Sequence, residues 1–339
     1  MTSTRRLRGL RIITACMGLA VFACAGPPIP RPSNTRPVPV ATVPVEGFIT
    51  SDDGLRLYYR QFGSGSPTVI VPGSLFLSRD FSALAAGRRM IFYDMRGRGR
   101  SDRVADSTHI SIQWDVRDLE TVRKYFAADS FVPIGWSYLG LMVMMYAADH
   151  PDRVDRVVQI GPISRKYGTK YLRDLTADDL PPIPDSAANA ELDRLRASPL
   201  ATQNPMAYCR REHEIFRAGL VGDARLADKV PDVCDYENEW PANFRRHMQT
   251  LFVGSIVPLD LAWTSFAKVS MPVLTIHGTK DRNAPYGSGR EWVSYLPNAR
   301  LLTVPGAGHM AWIDQPTLVL GAIDQFLKGE WPRDARPVE

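Results

Sequence analysis

Three short segments of this chain hold residue types that can carry out nucleophilic chemistry together. In Gly135-Trp136-Ser137-Tyr138-Leu139-Gly140 a serine sits between the apolar runs SFVPI and LMVMMYAAD, where a strand would hand over to a helix. A hydroxyl lifted out of such a turn attacks a carbonyl once a base takes its proton. His309, in Gly306-Ala307-Gly308-His309, can serve as that base, and Asp281, in His277-Gly278-Thr279-Lys280-Asp281, can orient it. Ordinary readings stand beside these: Ser137 as a helix N-cap, Asp281 as a turn aspartate before Arg282-Asn283-Ala284-Pro285, His309 as a hydrogen-bonded loop histidine. The glycines framing Ser137 and the chain order Ser, Asp, His favour catalysis. None of the other five histidines follows a strand-ending Gly-rich turn at the far end of the chain.

Residues so far apart need a scaffold that brings strand ends together. EGFITSDDGLRLYYRQFG reads as two alternating strands around Asp52-Asp53-Gly54, and PTVIVPG as a fully apolar strand. RMIFYD, SFVPIG, RVVQIG, PVLTIHG and RLLTVPG follow as short apolar runs ending in turn residues, most of them separated by amphipathic stretches such as WDVRDLETVRKYF. That alternation predicts an α/β fold, a mostly parallel sheet covered by helices, with reactive loops at the carboxyl ends of its strands. The strand signal stops between Gly161 and Met271, where AELDRLRAS and RREHEIFRAGL suggest short helices. The reading is a core of residues 46–164 and 268–330 with a helical cap, 165–267, inserted between two strands.

The N-terminus has another character. Arg5, Arg6, Arg8 and Arg11 precede an apolar run from Ile12 to Ala23, the layout of an export signal and too short to span a bilayer. Val21-Phe22-Ala23-Cys24-Ala25 resembles the lipobox of bacterial lipoproteins, with Cys24 as the lipidated residue, although Phe22 departs from the usual small or β-branched side chain. Residues 1–24 are therefore read as a signal peptide and 25–45, dense in proline, as an extended tether. The expected location is exported and membrane-anchored, with a soluble secreted or periplasmic protein as the alternative. Outside the signal, 37 basic side chains face 36 acidic ones, which removes the compositional case for nucleic acid as a partner. Cys209 and Cys234 remain as an even pair, either a disulfide suited to an oxidising compartment or two buried thiols.

From about Glu46 to Lys328 the chain resembles the α/β-hydrolase superfamily, on four motifs: the GWSYLG elbow, Asp94-Met95-Arg96-Gly97-Arg98-Gly99-Arg100-Ser101-Asp102, the HGTKD turn and the GAGH loop. The resemblance implies a serine hydrolase working through an acyl-enzyme, with an ester or short peptide as substrate and no cofactor. It also implies oxyanion donors at the backbone amides of Tyr138 and Ser74, the latter within Pro72-Gly73-Ser74-Leu75, with Trp136 and Leu75 beside the substrate. Two departures are visible: Pro72 replaces the usual histidine, and Leu139 replaces a small residue two places after the nucleophile. Asp94 is read as structural, pinning the loop before Ser101 together with Arg96.

Within that superfamily the capped proline iminopeptidases are similar in GWSYLG, DHPDRV and the cap, but their HGGPG is VPGSLF here. An aminopeptidase of that kind would hold the substrate amine with cap carboxylates, for which Glu212, Glu214, Glu237 and Glu239 are available, the last two beside Trp240. Serine at position 137 argues against branches that attack through a carboxylate. Phe216, Phe244, Phe252 and Trp263 suggest an apolar pocket or simply cap core. A ligand-binding protein that retained the fold without turnover is the alternative of another class.

Overall fold

The apolar runs become eight strands of one sheet. In this computed structural model residues 43–177, 180, 185–234 and 241–338 are described, so Cys24, Glu237, Glu239 and Trp240 lie outside the described residues. β1 (Val45–Thr50) and β2 (Arg56–Phe62) form an antiparallel hairpin closed by Ser51, whose amide donates to the Leu55 carbonyl at 2.8 Å. β3 (Thr68–Pro72), β4 (Arg89–Tyr93), β5 (Val132–Trp136), β6 (Val157–Ile160), β7 (Val273–Gly278) and β8 (Ala299–Val304) follow, parallel to one another, in the order β1-β2-β4-β3-β5-β6-β7-β8. β4 returns on one side of β3, whereas β5 crosses to the other. Connections therefore leave the carboxyl ends of β3 and β5 in opposite directions and open a crevice between them, the usual ligand position in open α/β sheets.

Alternation along the strands divides the core between the two faces of the sheet. Ile70, Ile91, Val157 and Val273 face α2 (Ile112–Tyr125), α3 (Tyr138–Asp149) and α8 (Tyr286–Tyr295), while Val69, Val71, Ile134 and Leu274 face α1 (Ser74–Phe81) and α10 (Pro316–Leu327), with the short α9 (Ala311–Asp314) before it. α10 shows the helical spacing plainly, burying Val319, Ala322, Ile323, Phe326 and Leu327. α1 begins directly at Ser74, where the sequence suggests only a loop. Gly73, at φ 80°, turns the chain, and Leu77 and Phe81, one turn apart, bury the helix against the sheet.

Between β6 and β7 the insertion carries α4 (Ser186–Ala197), α5 (Leu200–Gln203), α6 (Pro205–Arg217) and α7 (Pro241–Leu251), the last running into a π-turn at Phe252–Ile256. Its neck closes where Lys166 meets Asp260, with Nζ 2.6 Å from Oδ2. Ser255 Oγ accepts from the Ile112 amide at 2.9 Å and ties the cap to α2. Cys209 of α6 and Cys234 are joined as a disulfide, with Cα atoms 5.7 Å apart.

Asp94 does pin its loop: Oδ2 accepts from the Arg100 amide at 2.9 Å, and its carbonyl accepts from Ser101 Oγ at 2.7 Å. Arg96 takes different partners from the one expected. Fully buried, it meets Asp118 through Nε and Nη2 at 2.8 and 2.7 Å and Asp53 through Nη1 at 3.1 Å. The charge pair the sequence suggests within this loop is thus made across elements, between β4, the hairpin turn and α2.

One turn before Asp118 on the same helix, Asp115 is buried too. Burial, then the charge of Asp118, pushes its carboxyl up to about 8 against the pull of Arg96 and Arg98. The folded chain keeps this proton through neutral pH, whereas the unfolded chain loses it at about 4. Unfolding accordingly releases a proton across that window, and this group's contribution to stability falls as pH rises through it. Asp115→Asn is expected to exceed the wild type by on the order of 5 kcal/mol at pH 9 and to differ little at pH 4.5. Urea unfolding at both pH values checks this; an equal change at the two would mean that Asp115 is not titrating in that window.

Candidate active site

Ser137 holds a backbone conformation that a side-chain-bearing residue seldom adopts, φ 60° and ψ −129°, between the last residue of β5 and the first of α3. Such a conformation costs on the order of 1–3 kcal/mol and persists only where its surroundings over-determine it. Here they do: the Ser137 amide donates to Ile160 at 2.9 Å, and its carbonyl accepts from Gly140 at 2.9 Å. Ser137 itself is partly exposed although its neighbours on either side are buried. The bulky Leu139 is accommodated because its side chain reaches toward Gly73, where an added Cβ would lie only 3.1 Å from Leu139 Cδ1. That contact also brings the starts of α1 and α3 together above the paired strands β3 and β5. Two helix N-termini, each with amides beyond the reach of intrahelical bonding, therefore meet beside the serine.

Asp281 and His309 come together at the ends of β7 and β8. His309 Nδ1 lies 2.7 Å from Asp281 Oδ2, and both residues are buried. Asp281 Oδ1 accepts from the amides of Asn283 at 2.8 Å and Ala284 at 2.9 Å, the turn that the sequence reading set against a catalytic one. The two are the same structure, since the turn aims the other oxygen at His309. Burial alone would raise the Asp281 carboxyl, but the attraction of His309 and the bonds from His277 and His309 hold it well below the usual carboxylate range. The pair stands next to the elbow: Gly161 follows the Ile160 that binds Ser137, and a Cβ there would lie 3.0 Å from Asp281 Oδ2 and 3.1 Å from His309 Nδ1.

Tyr138 opens α3 and Ser74 opens α1, so both expected amide donors fall at helix starts. Leu75 is buried yet belongs to neither core cluster. Trp136, expected beside the substrate, is buried at the elbow. Its indole Nε1 donates to the His309 carbonyl at 2.9 Å, and its rings pack between Phe76, His309 and Trp312 at centroid distances of 5.5, 5.0 and 5.4 Å. The cap acids Glu212 and Glu214 are engaged, the first with Arg245 and Arg196 at 3.3 and 3.5 Å, the second with Arg211 at 2.7 Å. Phe216 and Phe244 line a cavity of about 410 Å³ together with Phe76, Leu220, Arg282 and Asn283, whereas Trp263 stacks on Tyr295 and Phe252 packs edge-on to Tyr138.

Two supporting residues escape sequence reasoning. His277 Nε2 donates to the Ala284 carbonyl at 3.0 Å and lies 3.3 Å from Asp281 Oδ2, close beside the same carboxylate; its spacing of four from Asp281 was the available signal. Asp314 accepts from Gly308 at 2.8 Å, from Gly222 at 2.9 and 3.0 Å, and from Asp223 at 3.1 Å, fastening the histidine loop to the cap segment.

With that geometry in hand, the family follows. The chain belongs to the alpha/beta hydrolase fold family, which matches residues 72–316. A bifunctional esterase/perhydrolase of Acinetobacter calcoaceticus is 26% identical over 78% of this chain and 92% of its own length. A proline iminopeptidase of Heyndrickxia coagulans is 23% identical over 83% and 98%. Among solved structures, an esterase from Exiguobacterium antarcticum superposes with a TM-score of 0.62 at 18% identity, covering 84% of this chain and 100% of that one.

Because each amide bond to a carboxylate contributes about 1.5–3 kcal/mol, less where water can replace it, Asp314→Ala is expected to destabilise the chain by about 2 kcal/mol. Chemical denaturation measures this. A variant as stable as the wild type would show that the histidine loop holds without its carboxylate anchor.

Proposed function

We propose that this chain is a serine hydrolase that cleaves carboxylic esters through Ser137, His309 and Asp281. One observation supports it above the rest: the buried Asp281–His309 contact of 2.7 Å stands beside a partly exposed serine in a strained strand-to-helix turn. Asp281 engages Nδ1 of the imidazole, which leaves Nε2 as the ring nitrogen to take the serine proton. Ser137 Oγ bonds to the carbonyl carbon as His309 accepts that proton, and the amides of Tyr138 and Ser74 stabilise the oxyanion. When the C–O bond to the alcohol breaks, His309 returns the proton to the departing oxygen. Water, deprotonated by the same imidazole, then releases the acid and regenerates Ser137.

Ester cleavage is favoured over the aminopeptidase reading because, of the four cap glutamates that reading would use, the two among the described residues, Glu212 and Glu214, already meet arginines, so neither offers an uncommitted carboxylate to a substrate amine. Relatives named for both activities, an esterase/perhydrolase and a proline iminopeptidase, keep the hydrolase class in common. Export and lipid attachment at Cys24 rest on the N-terminal sequence alone. No helix among the described residues is long and apolar enough to cross a membrane. Cys24→Ser is accordingly expected to move the protein from the membrane fraction to the soluble one; an unchanged distribution would remove lipid at Cys24 as the anchor.

Turnover of p-nitrophenyl esters is expected to fall about 10⁴-fold in Ser137→Ala, together with loss of labelling by a fluorophosphonate. Release from proline or alanine p-nitroanilides in preference to esters, abolished by blocking the amine, would replace the esterase reading with the aminopeptidase one. Equal inertness of wild type and variant, with no labelling, would leave a ligand-binding protein.

A further inference from the structure

The cavity of about 410 Å³ under the cap is lined by Phe76, Phe216 and Phe244 and by three arginines, Arg196, Arg245 and Arg282, with Glu212 the one acid among its described lining residues. α6 presents Cys209, Glu212, His213 and Phe216 to it, the i, i+3, i+4, i+7 stripe of one helical face. Glu212 lies between Arg245 and Arg196, at 3.3 and 3.5 Å, and so offsets one of the three positive charges. Among the described residues the lining is left with two guanidinium charges in excess.

Arg282 is the unusual member. Its Nε and Nη1 are buried, and neither has a hydrogen-bond partner. The residue makes no ion pair among the described residues either. Arginine stays charged at any working pH, so a buried donor of this kind without an acceptor is costly, and the cost is relieved by an anion. The imidazole of His213 adds a buried Nε2 that likewise lacks a partner. Arg282 is also the residue after Asp281, and Asn283, which shares the cavity wall, donates its amide to Asp281 at 2.8 Å. Phe76 packs on Trp136, which holds the His309 carbonyl. The basic wall therefore adjoins the acid–histidine pair.

We propose that this cavity is an anion subsite in which Arg282 receives a carboxylate carried by the substrate, so that the preferred substrates are esters bearing a free carboxylate on an aliphatic chain, such as hemiesters of dicarboxylic acids. The proposal rests on the serine hydrolase reading for its substrate class, but the subsite itself does not. A guanidinium gives a carboxylate charge-assisted N–H bonds, and the phenylalanines accept the methylene chain.

Two measurements separate the subsite from catalysis. The first compares kcat/KM for p-nitrophenyl hemiglutarate with that for its neutral methyl ester. The anionic substrate is expected to be preferred at least tenfold by the wild type, with the ratio falling to about one in Arg282→Gln and partly restored in Arg282→Lys. A general loss of folding lowers both rates and leaves their ratio in place. The second is calorimetric titration of glutarate and of glutaramide into Ser137→Ala protein, where glutarate is expected to bind at least tenfold more tightly and to lose that advantage when Arg282→Gln is added. No anionic preference in either assay, or a preference that survives Arg282→Gln, overturns the subsite even if neutral esters are hydrolysed. Arg282-dependent glutarate binding by a protein that hydrolyses no ester keeps the subsite and overturns the serine hydrolase reading.

Discussion

The conformation of Ser137 is the constraint around which the rest of the site is arranged. A positive φ at a residue with a Cβ is unfavourable, and nothing in GWSYLG alone enforces it. It is imposed from both ends. β5 is buried along its whole length between β3 and β6, and α3 buries ten of its twelve residues, so neither the strand end nor the helix start can relax. The bonds from Ser137 to Ile160 and from Gly140 to Ser137 fix what remains. Strain of a few kcal/mol is small against the burial of two complete core elements, which is why the turn can be held.

A second constraint is the buried carboxylate of Asp281. An ionised group with no access to water is tolerated only when its oxygens are saturated with donors. Three reach it, two turn amides on one oxygen and His309 on the other, and the His277 imidazole lies 3.3 Å from that second oxygen. Satisfying the charge and orienting the His309 imidazole are consequently one arrangement. The same logic recurs at Asp314, whose oxygens gather amides from the histidine loop and from the cap, so that the position of His309 depends on a segment inserted between β6 and β7.

Local pattern made the sheet legible in the sequence. The six apolar runs after the hairpin each became a strand, because burial on both faces leaves an unmistakable short apolar stretch bounded by turn residues. The two residues of the acid–histidine contact could be located for the same reason, each lying in the loop that follows such a strand. What escaped was set by partners distant in the chain. Trp136 resembles a substrate contact by its place in the elbow, yet its indole is committed to a carbonyl 173 residues away. Arg96 finds Asp118 and Asp53 rather than its neighbour Asp94. α1 was hidden because Gly73 and Ser74 read as loop chemistry, while the burial of Leu77 and Phe81 that makes the helix depends on the sheet beneath it.

The cap shows the same division at a finer scale. RREHEIF carries an ordinary amphipathic stripe, and sequence alone assigns its acids to solvent or to an amine. In the fold, Glu212 is enclosed between Arg245 of α7 and Arg196 of α4, so a side chain that looked like a cation ligand becomes part of a basic wall. The helix bearing it is itself held by the Cys209–Cys234 disulfide, which closes a separation of 25 residues and in the loop-entropy description stabilises the fold by roughly 3 kcal/mol. Cys209 lies on the same cavity-facing stripe as Glu212. The covalent tie therefore sits one helical turn from the charge cluster, on an insertion whose sparse core would otherwise leave the distance between the arginines poorly defined. Such a tie opposes the mutual repulsion of Arg196 and Arg245, the two guanidinium groups that flank the Glu212 carboxylate.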